Sequence, residues 1–177
     1  MEVDVEELYY KKVKTIYGEI LIYATIVQND LKLNKSQNKA IEDIKIANRK
    51  MVEIIKDIRE LQKNVSFSLE HKNLHLLKEY DGFRKKVTKV MRNIYLFRTE
   101  ENTLKFAEKL TKLKLEAKEN IRHSNTSIDT LIRKNLITPE MASSLFNDYT
   151  NVNDMIKKLI TVAELLYNNE DTIFENN

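Results

Sequence analysis

The chain contains very few of the residues that most often make tight turns, and this limits its fold more than any other feature. Its 177 residues include 2 Gly and 1 Pro. Sandwiches, barrels and α/β folds of this length need many turns, which rely on Gly, Pro or Asn-Gly pairs. The scarcity therefore predicts an all-α fold built from a few long helices. A charged content of 32% agrees with long solvated helix faces.

Apolar residues recur with helical periodicity in five stretches of the chain. Because short connections make consecutive helices antiparallel neighbours, the pattern predicts an elongated up-and-down bundle. We predict one domain over residues 1–177, with frayed ends at 1–4 and 168–177. The predicted bundle has about five long antiparallel helices, at about 5–31, 37–64, 69–98, 100–135 and 139–167.

The last of these helices has the most clearly marked start. Thr138 can cap the first turn, Pro139 suits the first helical position, and Glu140 places negative charge at the positive end of the helix dipole. Asn135 is a suitable left-handed cap for the preceding helix.

Three other local signals are less sharply defined. Ser36 or Asn38 is expected to cap the second helix, and Ser66 or Ser68 the third. Gly82, inside the third helix, indicates either close approach of a neighbouring backbone, which we favour, or local looseness of the helix.

The absence of Cys excludes disulfides, thiol chemistry and cysteine-based zinc sites. The acidic start of the chain argues against a signal peptide, and the longest apolar run, Ile20 to Val27, is much shorter than the ~20 residues that a bilayer crossing needs. A net charge of +3 does not by itself imply a nucleic-acid partner. We expect a cytoplasmic protein.

Glu53 and Asp57 are four residues apart and share one helix face. Helical bundles that bind divalent metals use such carboxylates from several helices. The alternative is a solvated face, on which Lys50, Lys56 and Arg59 supply salt-bridge partners. No cofactor is expected apart from this candidate metal.

Polar residues on the last two helices can meet inside the bundle as a buried polar layer, which would have to be fully hydrogen-bonded. The alternative is a set of exposed amides and local hydrogen bonds. The candidate residues are Asn120, Ser124, Asn147, Asp148 and Asn151.

The third and fourth predicted helices are basic. Between Lys72 and Lys134 there are 16 Lys and Arg against 8 Asp and Glu. An anion-binding surface, for a lipid headgroup or a nucleic acid, is one interpretation, and a solvated helix face is the other. The densest cluster comprises Arg84, Lys85, Lys86, Lys89 and Arg92.

Catalytic motifs are missing from the sequence. It has no glycine-rich phosphate loop, no nucleophile elbow and no Cys–His pair. We therefore predict that the protein is not an enzyme.

The segment Ile137-Thr-Pro-Glu-Met-Ala-Ser-Ser-Leu-Phe-Asn-Asp148 and the segment Leu159-Ile-Thr-Val-Ala-Glu-Leu-Leu-Tyr167 resemble the last helix of the PhoU-like cytoplasmic domain of the bacterial sodium/phosphate cotransporter family. Ile58-Arg-Glu-Leu-Gln-Lys-Asn64 and Tyr80-Asp-Gly-Phe-Arg-Lys-Lys86 are similar to the middle of that domain. The order and lengths of the helices agree with the same family.

This resemblance implies a long helical bundle without enzymatic activity that regulates phosphate uptake. It also implies a location at the inner face of the membrane and a transporter domain, in the same or another chain, as partner, with a homodimer as a further option. Some family members bind metal through a Glu-x-x-x-Asp pattern on two helices. Here the pattern occurs once, at Glu53 and Asp57, since Asn153 and Lys157 stand at the corresponding positions of the last helix.

Overall fold

The computed structural model describes residues 4–99 and 103–167, apart from the side chains of 103 and 120–123. The described residues form six α-helical segments and no strand, which confirms the all-α prediction. The helices are α1 (Val5–Leu8), α2 (Lys14–Asp30), α3 (Lys35–Glu70), α4 (Leu74–Thr99), α5 (Thr103–Arg133) and α6 (Pro139–Tyr167).

The first two segments belong to one continuous rod. A π-helical segment, Tyr9–Val13, joins α1 to α2, and the residues at both junctions, Leu8 and Val13–Lys14, keep helical backbone angles. A π-helical segment changes the side of the helix on which the following residues lie. The prediction of about five long helices is therefore close in architecture, although the structure divides the first helix into two segments.

Helix α6 is the central element of a four-helix bundle. It packs most extensively on α3 and α5 and also contacts α4, whereas α3 and α4 meet over a much smaller region. Lys158 of α6 lies beside Asp57, and Asp148 beside Asn64, so α6 is antiparallel to α3. Because α6 is covered by three neighbours, its buried face is wide and includes the polar residues Asp148 and Asn153.

Among the described residues, the main cluster of buried apolar side chains belongs to this bundle. The buried core cluster begins at Ile54 and contains no residue of α1, α2 or the first half of α3. Helix α2 packs on α3 and the π-helical segment and contacts none of α4, α5 and α6. The prediction that the first helix is an antiparallel neighbour of the second is confirmed, but α2 lies outside the bundle core.

Two connections have the caps that local chemistry favours. Thr138 Oγ1 accepts a hydrogen bond from the Met141 amide at 3.3 Å, and Asn135 has φ 53°, so both predictions about the α5–α6 turn are confirmed. The cap of α3 is instead Asn34, which forms a capping box with Gln37. Ser36 and Asn38 were therefore the wrong choices.

The predicted break at residues 64–68 does not exist. Helix α3 continues through it to Glu70, because Asn64 and Ser68 turn inward: Ser68 Oγ donates to the Asn64 carbonyl at 2.9 Å, and the Asn64 amide bonds to α6. The real turn has Lys72 at φ 51° and Asn73 as the cap of α4.

The interpretation of Gly82 was also wrong. A Cβ added at Gly82 would meet no atom within 4 Å, so no neighbouring backbone requires a glycine there.

Candidate interaction surface

Helix α2 is apolar on more sides than its single neighbour can cover. Between Thr15 and Gln28 the only charged residue is Glu19. A helix that is apolar all round is normally buried on all sides. Here α3 covers one side, around Ala24, and large apolar side chains on the other sides remain accessible to solvent.

Polar contacts set the register of the α2–α3 hairpin. The buried side chain of Asn48 donates to the Tyr17 carbonyl at 3.2 Å. Gln28 Nε2 donates to Glu42 at 2.9 Å, and Lys45 donates to the oxygen of the same Gln28 amide. The hydrogen bond from Gln28, and then the charge of Lys45, lower the pKa of the Glu42 carboxyl. The two helices therefore have a defined alignment.

One side of this hairpin carries a shallow groove of about 340 Å³ with an almost wholly apolar lining. Tyr23 is 72% exposed and Ile44 is 44% exposed at this groove. Ile16, 54% exposed, and Met51, 40% exposed, extend the same side by helical spacing. We call this surface the hairpin face, and its residues are Ile16, Ile20, Tyr23, Val27, Ile41, Ile44 and Met51.

A second apolar groove, of about 410 Å³, lies between α3 and α4, with Met155 of α6 among its lining residues. A single row of α3 residues links it to the hairpin face, because Ile44, Met51, Ile58 and Val65 recur at seven-residue intervals. Ile58 and Val65 line the second groove and are half-buried. The apolar row thus runs along α3 from the hairpin into the bundle.

Asp148 is the most deeply buried carboxyl of the described residues, with 1% exposure. It accepts hydrogen bonds from the Tyr80 hydroxyl at 2.7 Å and from the Asn64 amide at 2.9 and 3.1 Å. Burial raises the pKa of Asp148, and these hydrogen bonds oppose that rise. Burial, together with the bond to Asp148, raises the pKa of Tyr80. The group links α3, α4 and α6.

A second polar group involves Glu79, which precedes Tyr80 on α4, and Tyr149, which follows Asp148 on α6. The half-buried carboxylate of Glu79 accepts hydrogen bonds from the Tyr149 hydroxyl and, at 3.1 Å, from Ser127 of α5. Burial of the hydroxyl, followed by its bond to Glu79, raises the pKa of Tyr149. Together the two groups make a polar layer to which all four bundle helices contribute.

The residues predicted to form a polar layer differ in how deeply the structure buries them. Ser124 and Asp148 are buried, Asn151 is half-buried and Asn147 is exposed. The side chain of Asn120 lies outside the described residues. Asn147 faces solvent because Asp148, its neighbour in sequence, occupies the inward side of α6.

Glu53 and Asp57 lie beside a lysine. Lys158 Nζ is 2.6 Å from Asp57 Oδ2 and 3.9 Å from Glu53 Oε2, and Arg49 bonds to Glu53 at 3.2 Å. Within the described part of the chain, no group of three or more His, Asp or Glu residues could hold a metal ion. The two carboxylates therefore form ion pairs between α3 and α6 in the structure.

The residues of the predicted basic cluster do not all lie at one site: some contact neighbouring side chains, and others line a groove. Arg84 and Lys85 bind Asp81 at 2.5 and 2.7 Å, and Lys86 lies over the Tyr149 ring, 5.7 Å from its centroid. Lys89 and Arg92 instead line a groove of about 470 Å³ between α4 and α5.

That α4–α5 groove gains further positive charge from Lys109 and Lys112 of α5. Glu116, 3.9 Å from Lys89, is its one acidic lining residue within the described structure. Basic residues from two helices, α4 and α5, therefore meet in this groove.

Sequence reasoning missed the most informative surface, the hairpin face. The signal was present, since residues 15–28 of α2 carry one charge while a bundle-surface helix normally has a polar side. It also missed Asn64, Glu79 and Tyr80 as members of the polar layer.

Comparison with known proteins adds no relative. No family model matches the chain, and no curated protein or solved structure is significantly similar to it. Among the described residues we find no helix with the length and apolar character that a bilayer crossing requires.

Proposed function

We propose that this chain is a non-enzymatic protein-interaction domain that acts by helix–helix contact, with the hairpin face as its contact surface. The observation that carries the proposal is the position of α2, an almost uncharged helix that contacts α3 and no bundle helix beyond it. Exposed apolar patches of this kind mark interaction sites.

The shape of the surface agrees with helix recognition. Its apolar residues recur at steps of three, four and seven residues on two aligned helices, the spacing that meets an apolar stripe of another helix. The polar contacts of Asn48 and Gln28 hold the platform in register before any partner binds. The platform would lose little conformational freedom on binding, and this low entropic cost favours affinity.

The resemblance of residues 137–148 and 159–167 to a PhoU-like domain supports a more specific role. In this proposal the chain regulates a sodium-dependent phosphate transporter in the cytoplasm, at the inner face of the membrane. Phosphate uptake by cells that lack the chain tests this role. Unchanged uptake at both low and high external phosphate would contradict it.

Photo-crosslinking in living cells tests the contact surface. A photoreactive amino acid replaces Tyr23 on the hairpin face, and in a control it replaces the exposed Thr88 of α4. We expect a covalent product of defined mass from position 23 and none from position 88. Equal products from both positions, or none from position 23, would show that the hairpin face is not a specific contact.

A second candidate function rests on the α4–α5 groove, where Lys89, Arg92, Lys109 and Lys112 meet. Clustered cations of this kind bind phosphate-bearing surfaces in a salt-dependent way. Binding of the chain to anionic vesicles across a salt series tests it, with the double variant Arg92→Gln, Lys112→Gln beside the native chain. Equal binding by both proteins would rule out the groove as the site.

A further inference from the structure

The hairpin face needs an occupant, and its area indicates how large that occupant is. Ile16, Tyr23, Ile44 and Met51 expose between 40 and 72% of their surface, and three further apolar residues of the face are half-buried. A side chain of this size presents roughly 150–200 Å² when fully accessible. The face therefore presents on the order of 350–600 Å² of apolar surface, which is roughly half to three quarters of the ~800 Å² per partner of a standard stable complex.

The chemistry of the face allows it to pair with itself. Twofold symmetry brings identical patches together, so any charge within the patch would meet a like charge. The groove lining contains one charged residue, Glu19, and almost no polar surface. Self-association of this face therefore brings few like charges together.

Its architecture leads to the same occupant. Two antiparallel helices that share one apolar side form half of a four-helix bundle, and a second hairpin of the same kind completes it. The main core cluster of this chain's own bundle begins at Ile54, so α2 and residues 35–53 of α3 contribute nothing to it. A second hairpin would give α2 the cover that its own bundle does not provide.

We propose that the occupant of the hairpin face is a second copy of this chain, so that two α2–α3 hairpins form a symmetric four-helix interface. This inference rests on the proposed function, because it names the partner of the same surface. The two α3–α6 bundles then lie outside the interface, on either side of it.

Sedimentation equilibrium of the purified full chain tests the proposal with a matched pair of variants. Ile16→Glu places a carboxylate in the interface, and Ile22→Glu places one on another side of α2, where the native isoleucine is 64% exposed. We expect a native dimer, a dissociation constant at least ~100-fold higher for Ile16→Glu, and an unchanged constant for Ile22→Glu. A monomeric native chain at ~100 µM, or equal weakening by both variants, overturns the proposal.

Cysteine trapping covers the case in which Ile16→Glu disturbs the hairpin. The chain has no Cys, so single cysteines placed at Ile16, Tyr23, Ile44 or Met51 form disulfides only between copies. We expect mild oxidation to give covalent dimers from this set, and none from Ile22→Cys. Dimers from Ile22→Cys alone overturn the proposed face.

Together with the photo-crosslinking experiment, these results distinguish failure of the dimer proposal from failure of the proposed interaction function. A monomeric chain that still crosslinks from position 23 to a different protein overturns the dimer and leaves the interaction domain standing. A monomeric chain without such a product overturns both.

Discussion

The two tyrosines of the polar layer are expected to differ in how much stability is lost when the hydroxyl is removed. Tyr80 and Tyr149 each donate to a carboxylate, and each packs edge-on against Phe83, with ring centroids 5.7 and 4.6 Å away. Replacing either one with Phe keeps the ring and removes only the hydroxyl. The acceptors differ, because Asp148 is buried and Glu79 is half-buried.

Tyr80→Phe removes one of the donors that stabilise a buried charge. Hydrogen bonds to charged groups contribute roughly 1.5–3 kcal/mol, and a buried carboxylate cannot replace the lost donor with water. Asp148 retains its two contacts with Asn64, at 2.9 and 3.1 Å. We therefore expect the free energy of unfolding to fall by about 2 kcal/mol.

Tyr149→Phe should cost less. Glu79 retains Ser127 at 3.1 Å and has access to water, which can take the place of the lost hydroxyl. We expect a loss of about 0.5–1 kcal/mol. Urea unfolding followed by circular dichroism at 222 nm measures both losses, at one protein concentration, since association would change apparent stability.

The stability loss caused by Tyr80→Phe should also depend on pH in a definite direction. The Tyr80 hydroxyl lowers the pKa of Asp148 against the effect of burial, so its removal raises that pKa further. A carboxyl with a raised folded pKa binds its proton more tightly in the folded state, so acid favours the folded form. The deficit of Tyr80→Phe should therefore shrink as the pH falls through the folded pKa of Asp148. A deficit that does not shrink at any pH between 7 and the onset of acid unfolding, or a larger loss from Tyr149→Phe, would refute the assignment of a buried charge.

Three further changes test local features of the helices. Gly82→Ala should raise the free energy of unfolding by about 0.5–1 kcal/mol, because helix propensity improves and the added methyl group meets no atom within 4 Å; a loss in urea unfolding would show a contact at this site. Asn34→Ala should lower the free energy of unfolding by about 1 kcal/mol, since it removes the side chain that accepts a hydrogen bond from the Gln37 amide at 2.9 Å. Thermal unfolding measures the loss, and an unchanged midpoint would contradict it. Asn135→Ala should cost about 1 kcal/mol at φ 53°, whereas Asn135→Gly should be close to neutral; equal midpoints for the two variants would show that the backbone angle is not the cause.

At the α5–α6 turn, features that depend on a few adjacent residues were predictable from the sequence, whereas the cap of α3 was not. Thr138, Pro139 and Asn135 act on backbone groups within one turn, so their types alone predicted where α5 ends and α6 begins. The long-range features were not predictable. Asn64 looked like part of a break because its amide partner, Asp148, lies 84 residues further along the chain.

The same limit applied to the polar layer and to the hairpin. Asn147 and Asp148 are equally polar, and the exact rotation of α6 decides which of them is buried. The apolar stripe of the first helix was visible, but periodicity does not tell whether a helix lies inside a bundle or beside it. That distinction depends on α6, because α6 rather than α2 packs in the centre of the bundle against α3, α4 and α5.

The central position of α6 also determines where this sequence is free to vary. Ten of its residues are buried against three different helices, so nearly every turn between Ala142 and Ala163 has more than one neighbour to satisfy. A substitution there would require matching changes on two other helices, and such combinations arise rarely. Among related chains we therefore expect α6 to be the most constrained segment, and the hairpin to change only together with whatever covers it.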